Sequence, residues 1–397
     1  MPATRKLLLV PIALYVLIPL PWILWRPDGL FYTFHLERLP VIAGAFLVFV
    51  LGWMAGEHLH PRGGWFAANA PEGRVERWPV ATIAIVGTLL CSVIANGLLY
   101  SMGALVIDEA TGRERIPLLT TLGSAHIFAL IYSGCLIVRP TVARKPPLLV
   151  FLAVLSVLQT VAIGLAENRR TAVVLPVVVY VTLALVTGRT RLLRKMLWVV
   201  PVFLALFALT TFTRLDSSDA EVVGGVAEIA GDAVVGRLGN PLLIIDPILE
   251  HIASESKPFD PHTLQSIAAG LPTFGLVPPP FETGYGNAFG QALGLLSFEN
   301  EFIGINSGWV GELLLLGGVV ALVFGGIALG SIAASCWQLI AGSNPAGIFL
   351  RVMVVIFVIG GFQMEVPFPI VSIVRATMIA LVLAMAERTV ANARAPR

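Results

Sequence analysis

The sequence predicts an all-α polytopic membrane protein, with about ten transmembrane helices and one large, partly helical periplasmic loop between the seventh and the eighth. Two observations carry this prediction. The 397-residue chain is 57% hydrophobic and 13% charged, with a mean hydropathy of +0.86, whereas soluble domains are about 25% charged. Its apolar residues also fall in runs of about 17–25, the length that crosses a hydrocarbon core of about 30 Å.

Ten apolar runs are the predicted spans. The first follows Arg5 and Lys6 as a secretory signal would, but it ends in prolines and tryptophans rather than in a small-residue cleavage site. We therefore expect it to be retained as a span. In chain order the runs cover residues 7–25, 39–56, 79–100, 116–138, 148–165, 171–187, 197–212, 308–334, 348–362 and 370–386.

The distribution of Lys and Arg orients these spans, because cytoplasmic loops carry the positive excess. Sixteen of the 26 Lys and Arg residues fall on the side of the two termini and nine on the other side, which holds far more loop. We therefore expect both termini of this multi-pass protein in the cytoplasm. Residues 1–397 form one membrane domain in this interpretation, and 214–307 form an extracytoplasmic cap over the site.

The sequence predicts that the segment 214–307 is folded. Ser218 and Glu221 form a capping box at the start of an amphipathic helix. Asn240 and Pro241 predict another helix start, with that helix interrupted at Pro247.

Charge and cysteine content narrow the function classes. A net charge of +2, with no basic run interleaved with aromatics, argues against a nucleic-acid partner. The three cysteines lie in apolar runs without metal-ligand spacing, so neither a disulfide framework nor a zinc site is predicted. We expect no cofactor and no metal at the site. The competing hypothesis places a metal at Asp28 or at Asp108 and Glu109, in the first two outer loops.

Arginines near the outer face are the main candidates for chemistry, because ionisable groups at membrane depth are costly. Arg169 and Arg170 share a short outer turn, Arg214 ends the seventh span and Arg375 lies within the tenth. Guanidinium groups gathered at one face match the oxygens of a phosphate or pyrophosphate.

A structural interpretation stands beside this one. An arginine at a span end commonly anchors the helix by reaching interfacial water, and we interpret Arg38 and Arg113 in this way. Glu312, four residues into the eighth span, fits a structural hydrogen bond or salt bridge as well as it fits a catalytic role.

Two short motifs resemble a known family. The turn Glu167-Asn168-Arg169-Arg170-Thr171 resembles a turn of the oligosaccharide repeat-unit polymerases, the O-antigen polymerase group. Residues 306–318, a small polar pair followed by Glu312 and a glycine-rich helix, resemble the re-entry of that group's chain after its long outer loop. The span number, the large loop and the cytoplasmic termini fit the same group. The resemblance covers about residues 148–386.

The resemblance implies a lipid-carrier glycosyltransferase of the GT-C type, similar to O-antigen ligases and polymerases. Such an enzyme transfers a glycan from undecaprenyl pyrophosphate to an acceptor sugar hydroxyl at the outer face of the inner membrane, in lipopolysaccharide or other cell-surface polysaccharide biosynthesis. It uses no nucleotide sugar, and the ligase-like branch uses no metal. The implied partners are the carrier-linked glycan, membrane lipid, a chain-length regulator and other assembly proteins, with no nucleic acid.

Site residues follow from the resemblance by position. The base that takes the acceptor proton must be a carboxylate or an imidazole, and it stays open, because Asn306-Ser307 occupies the place of the ligases' histidine pair. The candidates for it are Glu299, Glu301 and His262. The candidates for pyrophosphate and glycan binding are Arg169, Arg170, Arg214, Arg237, Arg375, Asn306 and Glu312.

Two other function classes stay open. A transporter or flippase for a polyprenyl-linked or amphiphilic substrate would also use intramembrane charges and broken helices. Transporters usually show internal repeats, and comparison of the two halves of this chain finds none. The third class is a structural membrane partner of a polysaccharide assembly complex.

The charge distribution predicts the outcome of a fusion experiment. A reporter that is active only outside the cytoplasm should be active when fused near Ser256 and silent when fused after Arg191, because only the first site lies in the outer loop. Reporter activity normalised to fusion-protein amount measures this. The opposite pattern would overturn the orientation.

Overall fold

The computed structural model confirms an all-helical membrane protein. The residues that it describes contain no β-strand, and they form helices or short helical turns. These residues are 8–25, 35–59, 78–103, 117–138, 147–166, 170–212, 237–255, 267–268, 271, 290, 308–340, 345–361 and 366–393.

The helices follow the predicted apolar runs closely. The first run is a short helix α1 (Leu9–Ile12), a π-helical turn (Ala13–Leu17) and α2 (Pro19–Trp25). A 3-10 turn (Leu36–Arg38) leads into α3. The remaining helices are α3 (Leu39–Leu59), α4 (Trp78–Ser101), α5 (Pro117–Gly123), α6 (Ala125–Val138), α7 (Pro147–Ala166), α8 (Arg170–Thr187), α9 (Thr190–Phe212), α10 (Arg237–Leu243), α11 (Ile245–Glu255), α12 (Gly308–Leu339), α13 (Pro345–Gly360) and α14 (Pro367–Ala393).

Five of the described helical stretches are long and apolar enough to cross a membrane by length and composition. Shorter apolar helices occupy the ends of the chain and the region around α8 and α13. Many large apolar side chains on these helices are exposed, including Ile83, Phe151 and Phe324 at 70%, 61% and 71%. Exposed apolar surface on this scale fits contact with lipid rather than with water.

The most extensive helix pair joins α3 to α12, and glycines allow the two backbones to touch. A Cβ added to Gly56 would lie 2.7 Å from the Ser331 carbonyl oxygen, and Gly52 and Gly330 leave even less room. The Ser331 hydroxyl donates a hydrogen bond of 2.9 Å to the Gly52 carbonyl. Gly52 lies beside Ile327 and Gly56 beside Ser331, so the two helices run parallel. Small residues four positions apart are typical of such close contacts in membranes.

Helix α12 turns back on itself. The chain leaves helical geometry at Gly317 and Gly318, and Gly318 has a φ of 63° that favours glycine. A straight helix would separate residues 313 and 325 by about 18 Å. Leu313 instead lies 2.6 Å from where a Cβ on Gly325 would stand. Residues 308–316 therefore form a half-helix folded against 319–339, which alone is about 32 Å long.

The helices share two apolar cores. The first contains α1–α3, α10, α11 and α12, and the second contains α4, α6, α7 and α8. Helices α13 and α14 contribute to both, through Val354 and Ile373 to the first and through Phe349 and Ala376 to the second. Helices α13 and α14 therefore hold the two parts of the described bundle together.

Polar side chains inside the bundle donate hydrogen bonds to a backbone carbonyl where a helix is interrupted. The predicted span 116–138 is broken between α5 and α6 at Ser124. The Gly123 carbonyl oxygen accepts hydrogen bonds from the Ser92 hydroxyl at 2.6 Å, from Asn96 Nδ2 at 3.1 Å and from His126 Nδ1 at 2.8 Å. Backbone groups at membrane depth need such partners because lipid offers none.

The sequence predictions differ from the structure in two places. Pro241 lies inside α10 and Pro247 lies in the first turn of α11, so the break between the two helices falls at Ile244 and not at Pro247. The prediction was wrong because proline fits the first turn of a helix as well as a helix break. The run 308–334 was predicted as one span, but it contains the turn at Gly317 and Gly318.

Alanine at Gly52 should test the contact between α3 and α12. The added Cβ would meet the α12 backbone, so we expect a loss of about 1–3 kcal/mol in the free energy of unfolding. This outweighs the gain of at most about 1 kcal/mol that alanine brings to a helix. Gly44→Ala is the matched control, because an added Cβ there meets nothing within 4 Å.

Thermal unfolding of the two purified variants in detergent measures this difference. Gly52→Ala should melt below the wild type and Gly44→Ala at or above it. Equal melting temperatures would contradict the backbone contact.

Candidate functional site

Two buried carboxylates mark a candidate site in the apolar bundle. Of the Asp, Glu, Lys and Arg side chains that the structure describes, only Asp246 and Glu312 are almost fully buried, with exposed fractions of 3% and 1%. A buried charge is costly unless it is hydrogen-bonded. Both carboxylates therefore need specific partners, and these partners define the site.

Asp246 binds the turn that precedes α3. Its Oδ2 accepts hydrogen bonds from the His35 backbone N–H and from His35 Nδ1, each at 2.9 Å. Its Oδ1 accepts from Arg38 Nε at 2.5 Å. The His35 and Arg38 side chains are 56% and 36% exposed, whereas the Asp246 side chain is 4% exposed. The carboxylate is thus shielded while its partners reach the surface.

Local sequence explains why Asp246 stands where it does. Asp246 is the second residue of α11, and a carboxylate near a helix N-terminus is stabilised by the helix dipole. The adjoining Leu242, Ile244, Ile245 and Ile248 are fully buried in the first core. The apolar residues bury the segment, and Asp246 fixes it to α3.

Helix α10 brings this segment onto the first span. A Cβ added to Gly239 would lie 2.8 Å from Ile23 Cδ1 and 3.2 Å from Pro19 Cβ. Glycine at position 239 therefore lets α10 approach α2 closely. Helices α10 and α11, which belong to the segment 214–307, therefore pack on the first core.

The pKa of Asp246 reflects two opposing effects. Burial by itself raises it, but the hydrogen bonds from Arg38 and from the backbone and ring of His35 outweigh burial and lower the pKa from its ordinary value of 3.8. Asp246 is therefore ionised at neutral pH. The stability that this carboxylate contributes is present above its ordinary pKa and is lost as the pH falls through the lowered one.

Glu312 joins the half-helix of α12 to the start of α14. Its Oε2 accepts a hydrogen bond from the Val366 backbone N–H. The neighbouring Trp309 ring lies 6.0 Å from the Phe49 ring of α3, measured between centroids. A Cβ on Gly361, just after α13, would lie 3.6 Å from Trp309 Cδ1. The half-helix is thus enclosed by α3, α13 and α14.

The two carboxylates lie toward the same end of the bundle. The register that places Gly52 beside Ile327, extended to the start of α3, brings the Leu36–Arg38 turn near the level of Gly317 and Gly318. Helix α11, which carries Asp246, packs on α12. The half-helix 308–316, which carries Glu312, begins alongside the long part of α12 and ends at the turn of Gly317 and Gly318. The candidate site is therefore the region where α3, α11, α12 and α14 meet.

The structure describes few of the predicted site residues. Glu312 is buried and bonded to α14, and Arg375 lies within α14 with a buried Nε. Arg170 and Arg237 begin α8 and α10, but their side chains are not described. The predicted residues outside the described part of the chain are Arg169, Arg214, Glu299, Glu301, His262 and Asn306. Their grouping with Glu312 stays a prediction.

Sequence reasoning missed His35 and the role of Arg38. Arg38 was interpreted as an interface anchor, but it pairs with Asp246. His35 precedes a predicted span and stands three residues before an arginine, which is a weak signal by itself. Its partner lies 211 positions away, so only the tertiary structure reveals the pair.

The ionised state of Asp246 predicts a pH-dependent stability. Asp246→Asn should lose about 1–3 kcal/mol near neutral pH, because asparagine cannot accept all three hydrogen bonds and the exposed partners are partly satisfied by water. The wild type should also lose stability as the pH falls below the ordinary aspartate value of 3.8, since the pKa of Asp246 in the folded protein lies below that value. The variant should lack this component.

Melting temperatures in detergent, measured from pH 6 to pH 3, check both effects. The matched control is Glu250→Gln, an exposed carboxylate one turn further along α11. A variant as stable and as acid-sensitive as the wild type would show that the Asp246 contacts do not hold the segment.

Comparison with known proteins adds no relative. No protein-family model, no curated protein and no solved structure matches this chain. The likeness to O-antigen polymerases therefore rests on the two short motifs and on the order of the spans. Membrane insertion rests on the apolar helices themselves.

Proposed function

We propose that the protein is a membrane glycosyltransferase of the O-antigen polymerase type. It transfers a glycan from an undecaprenyl-pyrophosphate carrier to an acceptor sugar hydroxyl at the outer face of the bacterial inner membrane. The observation that carries the proposal is the placement of two buried carboxylates, with Arg38 and His35, at one end of an otherwise apolar bundle. That end is the outer one in the topology that the charge distribution predicts.

The parallel packing of α3 and α12 is consistent with the ten-span topology that we propose. Two parallel crossings of a membrane are separated by an odd number of other crossings. The ten-span arrangement places five between them, formed by α4, by α5 with α6, and by α7, α8 and α9. An even number of spans in total then puts both termini on the same side, as the sixteen-to-nine split of Lys and Arg predicts.

In this proposal, cations at the outer face stabilise the pyrophosphate that leaves the glycan donor. Breaking the bond between sugar and pyrophosphate builds negative charge on the leaving group, so fixed positive charge there lowers the barrier most. Arg169 and Arg170 are the residues we assign to this role, with Arg214 and Arg237 nearby in the sequence. Arg170 is also the first residue of α8, and the positive end of a helix dipole favours an anion at the same turn.

A transporter or flippase is the second candidate, and one observation favours it. The half-helix 308–316 and the turn at Gly317 and Gly318 make α12 discontinuous. Discontinuous helices at membrane depth often line substrate sites in transporters. The polymerase proposal accounts for the same feature as a fold-back that places Glu312 beside α14.

Alanine at Arg169 or at Arg170 should abolish most glycan transfer. Removing one cation from the leaving pyrophosphate should cost about 2–4 kcal/mol of transition-state stabilisation. That corresponds to roughly 30- to 1000-fold in rate. Arg113→Ala, an expected interface anchor, is the control and should change the rate little. The measurement is transfer by purified protein, with the lipid-linked glycan fraction extracted from cells that produce it.

Two results would count against the proposal. Near-normal transfer by both variants would show that these arginines are interface anchors. Wild-type protein in liposomes that moves the lipid-linked glycan between leaflets, without forming a new glycosidic bond, would favour the transporter.

A further inference from the structure

We propose that His35 is the general base that takes the proton from the acceptor hydroxyl, and that Asp246 is the residue that positions it. This inference rests on the proposed glycosyl transfer and identifies a base outside the carboxylates and the histidine considered in the sequence. It follows from the geometry of the pair and from the surroundings of the imidazole.

The contact with Asp246 fixes the tautomer of His35. An ionised carboxylate only accepts hydrogen bonds, so the proton of a neutral imidazole must lie on Nδ1, 2.9 Å from Asp246 Oδ2. The lone pair is then on Nε2, on the other side of the ring. The side chain is 56% exposed, and within the described part of the chain no hydrogen bond engages Nε2. A carboxylate that orients an imidazole in this way is the arrangement that hydrolases use to prepare a base.

Docking of the loop does not by itself require the His35 ring. The backbone N–H of His35 and Arg38 Nε already bind both oxygens of Asp246. A further contact from a half-exposed ring adds little stability, because water competes for it. The ring contact instead restricts where Nε2 points.

Another histidine shows what a structural imidazole looks like in this protein. His126 is 4% exposed, and its Nδ1 donates to the Gly123 carbonyl oxygen at 2.8 Å. That bond pairs a backbone carbonyl that the interruption between α5 and α6 leaves without a helical partner. His35 differs in being exposed and in being paired with a charge at the end of the bundle.

The charged groups in contact with His35 compensate one another. Arg38 balances the charge of Asp246, so the group of three is neutral when His35 is neutral. The buried Glu312 faces α14, through Val366, on the helix that packs against α11. Among the described side chains of the same turn and of α11, the other titratable groups are Glu37, Glu250 and His251.

Proton transfer to His35 accompanies glycosyl transfer. Nε2 takes the proton as the hydroxyl oxygen forms a bond to the anomeric carbon of the donor sugar. The bond from that carbon to the pyrophosphate oxygen breaks, and its electron pair leaves with undecaprenyl pyrophosphate. Asp246 stabilises the imidazolium, which then gives its proton to water.

Replacement of His35 by glutamine tests the proposal. His35→Gln keeps the backbone N–H and Arg38 as partners of Asp246, so the loop should stay docked. We expect transfer at pH 7 to fall by about 10²- to 10⁴-fold, the usual contribution of a general base. The control is His58→Gln, an exposed histidine at the opposite end of α3, which should leave the rate unchanged.

Two further readouts separate a base from a structural residue. Binding of undecaprenyl pyrophosphate to purified protein should be unchanged in His35→Gln, whereas Arg169→Ala should weaken it. The pH profile of the rate should differ between the wild type and His35→Gln, because only the wild type carries an imidazole that can take the proton. Asp246→Asn should change the profile in the same direction, because the tautomer is no longer fixed.

Each outcome decides between the alternatives. Transfer by His35→Gln within about threefold of the wild type, with the same pH profile as the wild type, would overturn the role of His35. The proposed function would survive that result. Wild-type protein that neither binds undecaprenyl pyrophosphate nor forms a glycosidic bond would overturn both. If His35→Gln and His35→Asn both aggregate on size-exclusion chromatography, His35 is structural and the inference is wrong.

Discussion

The backbone contact between α3 and α12 is the constraint on which the rest of the described structure depends. Glycines on both helices remove the side chains that would otherwise hold the backbones apart, and Gly52 and Gly330 accept no Cβ without a shift. Close contacts of this kind fix the register of two helices as well as their distance. The turn that carries His35 and Arg38 is therefore held near the fold-back of α12, and the half-helix with Glu312 is enclosed beside it.

Two buried carboxylates fix the positions of the segments that form the candidate site. Apolar residues such as Ile244 and Ile248 supply the burial of the segment 237–255, but apolar contacts alone allow many positions. An ionised Asp246 restricts the segment to few positions, because a buried charge without hydrogen-bond partners is costly. Its three hydrogen bonds exist only when the segment meets the start of α3 in the observed way. Glu312 does the same for the half-helix and α14.

The sequence predicts the helices well, because a span must be a long apolar run. Helix α7 (Pro147–Ala166) differs from its predicted run by one residue at each end. The contact of α3 with α12 also has a visible signal, since Gly52 and Gly56, like Gly326 and Gly330, stand four positions apart. That spacing does not name the partner helix, and the fold-back of α12 depends on two adjacent glycines that also fit a continuous helix.

The candidate site was harder to predict than the fold. Asp246 was one of many loop carboxylates, and His35 lies 211 positions from it. Neither residue belongs to a motif, so the pairing follows only from tertiary packing. The count of Lys and Arg predicts the topology, and the arginine turn at 167–171 predicts a phosphate site. Neither pattern indicates which histidine a carboxylate will orient.

An experimental structure with undecaprenyl pyrophosphate bound, in a lipid nanodisc, tests the central claim most directly. The account predicts pyrophosphate density at the end of the bundle where α3, α11, α12 and α14 meet, in contact with Arg169 or Arg170 and with the His35 ring facing the same space. Pyrophosphate density at the opposite end of α3, near His58, would contradict it.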